Sequence, residues 1–398
     1  MTAYDFESYH DRKRTRASKW VMMLRQNPGV REGIVPMTTA DMDFMTAPEI
    51  VDDLLRYIPS ELLGYSRPTD AYLDAILRWY RERHGYEAQR PWVLTSPGVV
   101  PALAAAVRTC AGPDEKVIVL TPIYGPFYDV IRGQGRRVAD CPMYIRGNRY
   151  QIDFELFDRM CADEKPRLLL FCSPHNPSGR VWTGGELRRL AEICEKHGVR
   201  IASDEIHSDI ILGERRHTVF NTVSSWAADA ILCTSAGKAF NIQALQCANV
   251  FIRDQALRER FEQASLFAGI ERANVLGMVA TAAAYNDAGS WLEAVTRVIC
   301  RNHDILLAFF ARYPASFKAM RPDAGFLGWV DYSGTGIPRD AFLRFLIACD
   351  FYVTEGSAFG KAAENFIRVN VGLPTRTLQE NLARLEKGLQ ETYGLVPE

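Results

Sequence analysis

Between about residues 95 and 255 the chain alternates short runs, apolar at every position, with stretches of helical period. The runs are KVIVL (116–120), RLLLFC (167–172), VRIAS (199–203), AILC (230–233) and NVFI (249–252). A strand apolar on both sides belongs in a sheet covered by helices on each face. The clearest intervening helix is TGGELRRLAEICEKHG. Thr183 and Glu186 form a capping box, Leu187, Leu190, Ile193 and Cys194 make one face, and Gly198 ends it. Strand, capped helix and strand in succession predict a parallel sheet. From about residue 290 the pattern changes to long amphipathic helices, WLEAVTRVICRNHDILLAFFARY and LQENLARLEKGLQETYG, with strand-like pieces GFLGWVDY and FIRVNVGL. The expected organisation is therefore an N-terminal segment 1–45 that pattern alone does not place, a large domain 46–289, and a smaller α+β domain 290–398.

In open parallel sheets ligands bind beyond the carboxyl ends of the strands. Here KVIVL is followed by TPIYGPF, RLLLFC by SPHNPSGR, VRIAS by DEIHSD, and AILC by TSAGKAFN. Four strand ends thus bring an aromatic ring, an Asn, an Asp with a His, and a Ser with a Lys to one edge. Lys238 stands out, because a lysine seldom follows a buried run between small residues such as Gly237 and Ala239. It is not a P-loop lysine: the earlier glycine is replaced by Leu232, and Ala239 stands where Ser or Thr is needed. Ser235 and Lys238 have the spacing of a serine acyl-enzyme pair, but its companion elements are absent. GQG at 133–135 lacks the third glycine of a dinucleotide fingerprint. Asp41 and Asp43 in ADMDF would face opposite ways in a strand, so one structural and one solvated carboxylate is expected rather than a metal or glycosidase pair.

Charge and cysteine content narrow the class further. The 398 residues carry 47 basic and 48 acidic side chains, for a net charge of -1, which offers no field for nucleic acid. The basic residues Arg12, Lys13, Arg14 and Arg16 read as a solvated stretch. No apolar run has signal-peptide or membrane-spanning length. Nine scattered cysteines show no metal or disulfide spacing, so a cytoplasmic protein is expected.

Taken together, the strand ends call for a cofactor that uses a lysine, an aspartate, an asparagine, an aromatic face and an anion cradle at once. Pyridoxal 5'-phosphate has those needs: a lysine amine for its aldehyde and a carboxylate to keep its ring nitrogen protonated. SPHNPSGRVW, SDEIHSD, the lysine segment and FIRVNVGLP resemble the fold-type I pyridoxal-phosphate enzymes of the aminotransferase class I/II superfamily, from about residue 35 to the end. ADMDF, TSPGVVPAL, PIYGPFY and SDEIH are most similar to its cystathionine β-lyase-like carbon–sulfur lyases.

The resemblance implies an α/β fold with a mostly parallel sheet between helices and a smaller α+β C-terminal domain, the first 45 residues packing on that domain and on the site. It implies Lys238 as Schiff-base lysine and Cα base, Asp204 at the pyridine nitrogen, and Asn176 at the phenolic oxygen with His207 behind it. Tyr124 would stack on the ring. The amides of Gly98, Val99 and Val100 and the hydroxyl of Ser235 would hold the phosphate, as a helix start can. Tyr65 would reach the phosphate of the neighbouring subunit in a homodimer, and Arg368 would clamp the substrate α-carboxylate. Two positions depart from the pattern: Gly237 where many relatives have Ser, and Gln246 where aminotransferases have Arg. The implied activity is cleavage of cysteine S-conjugates to thiol, pyruvate and ammonia. Aminotransfer, decarboxylating or oxidative deamination of an S-conjugated cysteine, and a regulatory binding protein on an inactive enzyme fold stay open.

Overall fold

A computed structural model describes residues 4–270 and 272–398. Its large sheet is built from β1 (Val93–Ser96), β2 (Lys116–Thr121) and β3 (Arg137–Pro142) and, past a small hairpin of β4 (Tyr144–Ile145) and β5 (Tyr150–Gln151), from β6 (Leu168–Cys172), β7 (Arg200–Asp204), β8 (Ile231–Thr234) and β9 (Ala248–Phe251). The seven strands lie in the order β1-β9-β8-β7-β6-β2-β3. The five apolar runs are all strands of this sheet, within one residue of their expected ends.

The sheet is mostly parallel, as the resemblance implies, with one of the five runs reversed. β9, the run NVFI, pairs antiparallel with both β1 and β8, while β2, β3, β6, β7 and β8 are parallel. The cause is the β8–β9 link. It holds only the one-turn helix Gly237–Phe240 and a 3-10 turn at Gln243–Leu245. A return in the parallel sense needs a crossover, usually a helix, that spans the sheet face, and neither of these short turns does so.

Helices cover both faces. The helices Val99–Cys110, Pro126–Gly133 and Gln255–Phe267 bury their apolar stripes on one side with Val117, Val119, Leu168 and Leu170. Phe154–Glu164 and Gly184–Lys196 cover the other, against Ile118, Leu169, Phe171 and Ile201. The capping box at Thr183 and Glu186 is present, and Gly198 follows the helix with a φ of 67°. A second, antiparallel sheet has the order β10 (Lys318–Met320), β11 (Leu327–Asp331), β13 (Phe366–Asn370), β12 (Thr354–Glu355). The helices Gly289–Ala311 and Thr375–Tyr393 pack beside it. None of the described helices is long and apolar enough to cross a membrane.

Within the N-terminal segment, unplaced by pattern, residues 37–44 form a strap. After the helix Ser18–Gln26 the chain passes through residues 37–44, bending at 39–40 and 43–44, and makes contacts to residues of both sheet-bearing parts. The carbonyls of Met37, Thr38, Thr39, Ala40, Asp41 and Met42 all accept hydrogen bonds: from the Asn370 amide, Arg368, Asn370 Nδ2, Lys238, Lys19 and Asn241 respectively. Both expectations for the charged residues here are corrected. Asp43 and Asp41 are both largely buried, and Lys19, only 1% exposed, lies 2.5 Å from Asp43 Oδ2 and 3.3 Å from Asp41 Oδ1. Arg12 is not a freely solvated cation but bridges the same two carboxylates at 2.8 and 3.0 Å. Two buried acids require two cations, and the N-terminal helix and the turn before it supply them. Substituting methionine for Lys19 leaves the two carboxylates with Arg12 as their one remaining cation, so unfolding in urea should show a loss of about 3 kcal/mol; a loss under about 0.5 kcal/mol would mean the pair is energetically idle.

Candidate active site

β1, β2, β6, β7 and β8 run in one sense, so the segments leaving them gather at one edge of the sheet. Lys238 sits in the one-turn helix after β8, half-buried, and its Nζ donates to the Ala40 carbonyl at 2.6 Å. Burial lowers its pKa to about 8, with the positive charge of Arg368 adding to the effect and Asp41 and Asp204 opposing it. An amine so poised can both take and give a proton near neutrality. A Cβ at Gly237 would lie 3.1 Å from Ser235 Oγ and 3.2 Å from Gln243 Cα, a tight fit that a serine there would relieve by a small shift of its neighbours. The Ser235 hydroxyl donates to the Cys247 carbonyl at 2.6 Å and accepts the Gly237 amide. Gln246 is exposed.

Asp204 closes β7, opposite Cys172 of β6 and Cys233 of β8. Its carboxylate accepts the Ile206 amide at 3.1 Å and forms no ion pair among the described residues. Burial lifts its pKa to about 7, only partly offset by the Ile206 amide and the charge of Lys238. The adjoining Glu205 is different: Ser203, His217 and the Phe220 amide satisfy it. His207 is pushed down to about 3, first by burial and then by the charges of Lys238 and Arg368, so its ring is neutral. It packs beside Gly325 and Phe326.

Arg368 lies at the centre of β13, 4% exposed. Nη1 donates to Asn176 Oδ1 at 3.1 Å, Nη2 to the Thr38 carbonyl at 3.2 Å, and Nε has no partner among the described residues. No carboxylate faces it, and burial lowers its pKa to about 10. Its guanidinium lies 4.9 Å from the Phe359 ring centroid. Tyr124, partly buried just after β2, shares a cavity of about 400 Å³ with Arg368. Burial raises its hydroxyl pKa against the opposing charge of Arg368.

The helix Val99–Cys110 begins at the same edge. Gly98 precedes it with φ 128° and ψ 165°, a conformation essentially restricted to glycine, and no side chain among the described residues caps the first turn, whose amides include those of Val99 and Val100. Tyr65 stands fully exposed, away from this cluster.

Sequence reasoning missed several contributors. The strap is one. His175 is another: its ring joins Ser178 Oγ at 2.7 Å and the Pro122 carbonyl at 2.8 Å, tying the loop that carries Asn176 to the loop that carries Tyr124. Its place in SPHNPSGR was visible, but nothing in that pattern reveals a partner some fifty residues away.

The site therefore holds a buried carboxylate without a cation and a buried guanidinium without an anion, with a reactive amine between them in chain order and an amide-lined helix start at the same edge. Pyridoxal 5'-phosphate fits this donor set: Asp204 suits the ring N–H, Lys238 the aldehyde and the helix start the phosphate, leaving Arg368 for a carboxylate. Among the described residues no cluster of His, Cys, Asp and Glu is arranged for a metal ion.

Comparison with known proteins agrees. The sequence profile of aminotransferase class I and II matches residues 32–385. Cystathionine β-lyase PatB of Bacillus subtilis is 34% identical over 97% of this chain and 100% of its own length. Protein MalY of Escherichia coli is 31% identical over 96% of this chain and 98% of its own. The crystal structure of cystalysin from Treponema denticola, which contains pyridoxal 5'-phosphate, superposes with a TM-score of 0.96 at 35% identity, covering 98% of this chain and all of that one. With its fold, its edge of strand-end residues and its full-length match in accord, the chain belongs to the aminotransferase class I and II family.

Proposed function

We propose that the protein is a pyridoxal 5'-phosphate-dependent carbon–sulfur β-lyase that converts a cysteine S-conjugate and water into thiol, pyruvate and ammonia. The observation that carries this reading is the pair of uncompensated buried charges, Asp204 and Arg368, on either side of Lys238 in the electrostatics of one site. When bound, the cofactor supplies an aldehyde that condenses with amines and a ring that takes up the electron pair left on Cα. The remaining work falls to the chain. Asp204 would accept the hydrogen bond of the ring nitrogen and favour its protonated form. Val99 and Val100 would offer amides to the phosphate, Asn176 with His207 would serve the phenolic oxygen, and Tyr124 would supply an aromatic face for the ring. Arg368 clamps the substrate α-carboxylate with its fork, which orients the Cα–H bond. Lys238, its neutral fraction raised by burial, takes that proton. The strap over Lys238 and Arg368 keeps water from the reacting carbon.

The names borne by PatB and the other cystathionine β-lyases in the family support elimination at Cβ over aminotransfer. Incubating the protein with L-cystathionine and with S-alkylcysteines should release thiol, pyruvate and ammonia in equal amounts. Formation of an amino acid from an added keto acid, without thiol, would replace this reading by aminotransfer.

The same site supports a homodimer. Leu62, Leu63 and Tyr65 are 90%, 60% and fully exposed on one loop, an apolar surface too prominent for a lone chain. Tyr65 then reaches the partner's phosphate. Sedimentation should give twice the mass of one chain, and Leu62→Asp should shift it toward the single-chain value. Nine unpaired cysteines support a reducing, cytoplasmic setting and should be countable as nine thiols in the denatured, unreduced protein.

A further inference from the structure

The cavity that begins at Arg368 and Tyr124 continues outward along the helix Pro126–Gly133, and its outer wall carries two charges of opposite sign, Asp129 and Arg132. Three residues apart on a helix, they are neighbours on one face, where opposite charges ordinarily pair. Here they do not pair with each other or with any other described residue. Arg132 instead lies 5.0 Å over the ring of Tyr128, and Tyr128 is fixed by its hydroxyl on Asp140 at 2.8 Å. An aromatic platform holds the guanidinium in place without neutralising it. Asp129, in the first turn, keeps a free carboxylate on the same wall.

We propose that this outer end of the cavity is a charge-reading subsite for the S-substituent, and that the substituent it selects ends in a second amino-acid group: Arg132 takes its carboxylate and Asp129 its ammonium. The proposal rests on the lyase reading for the identity of the inner end, where Arg368 fixes the first carboxylate. An amino-acid end carries both charges on one carbon, which suits two opposite charges roughly 5–6 Å apart at Cβ on one helix face. A purely anionic or purely cationic substituent meets one favourable and one unfavourable neighbour, and a neutral one leaves both in water.

A matched series tests it: L-cystathionine, S-(3-carboxypropyl)cysteine, S-(3-aminopropyl)cysteine and S-propylcysteine, which share a three-carbon arm and differ in its terminal charges. Binding to the cofactor-loaded protein is measured by calorimetry and thiol release in parallel. Wild type should bind cystathionine most tightly. Arg132→Gln should cut the preference for cystathionine and for the carboxypropyl compound over S-propylcysteine about five- to tenfold. Asp129→Asn should do the same for cystathionine and the aminopropyl compound, and Arg132→Glu should turn the ranking toward the aminopropyl compound. Both side chains are exposed, so these variants should fold. Equal affinities across the series, or one uniform factor in every variant, overturn the subsite. Absence of thiol from all four compounds, with the charge pattern intact in binding, overturns the lyase reading and leaves the subsite standing.

Discussion

Lys238→Ala lowers the rate of thiol release from cysteine S-conjugates by at least about 10⁴-fold, the upper range for loss of a positioned general base, because the same amine is also the covalent anchor. The residue follows a fully buried strand, its neighbours are too tightly packed to offer another amine, and its pKa is already down to about 8. Arg368 cannot substitute, since it stays charged at a pKa of about 10. The measurement is single-turnover thiol release, accompanied by mass spectrometry after borohydride reduction of the loaded protein. Wild type should carry the added cofactor mass on the peptide containing Lys238, and the variant should carry none. A label on any other lysine would remove the basis for every role assigned above.

Asp204→Asn has the second largest effect, a fall in kcat of about 10³-fold, the scale for removing one preorganised electrostatic partner from a buried site. The amide keeps the volume but cannot hold the ring nitrogen protonated. The same substitution has an opposite consequence for stability in the absence of cofactor. The Asp204 carboxyl has a pKa of about 7 in the folded chain against an ordinary 3.8. Between about pH 4 and 7 the folded chain therefore binds a proton that the unfolded chain has lost, and wild-type stability contributed by this group falls as pH rises. The variant has no such group. Its advantage over wild type should grow across that window, by up to about 4 kcal/mol for three pKa units. With the cofactor's ring cation opposite Asp204 the penalty disappears, and wild type should become the more stable of the two. Urea titrations of both proteins, with and without cofactor, at pH 5 and pH 8 check the sign. An advantage that shrinks with pH in the cofactor-free pair contradicts the buried-carboxylate account.

What could be read from the chain alone follows from what local pattern encodes. The runs KVIVL and RLLLFC announced buried strands because every position is apolar, and Thr183 with Glu186 announced a helix start because a cap lies within four residues. Lys238, Asp204 and Asn176 stood out because each follows such a run, whereas Arg368 was singled out by the resemblance of FIRVNVGLP alone. The direction of β9 was not, since an apolar run looks the same in either sense and only the short link before it decides. Lys19 reads as a surface residue in any pattern. Its burial depends on Asp41 and Asp43, more than twenty positions away, and theirs on Lys19. The hydrogen bond from Ser235 to the Cys247 carbonyl, twelve residues on, was likewise invisible in the local pattern.

The ribbon of residues 37–42 makes the two sheets answerable to each other. One end of it is hydrogen-bonded to Arg368 and Asn370 of the smaller sheet, and its middle to the amine at the edge of the larger one. Were the smaller sheet to tilt, it would draw this ribbon along, and with it the oxygen against which that amine rests. The two ends of the site are thus linked through main-chain atoms that no side-chain substitution removes.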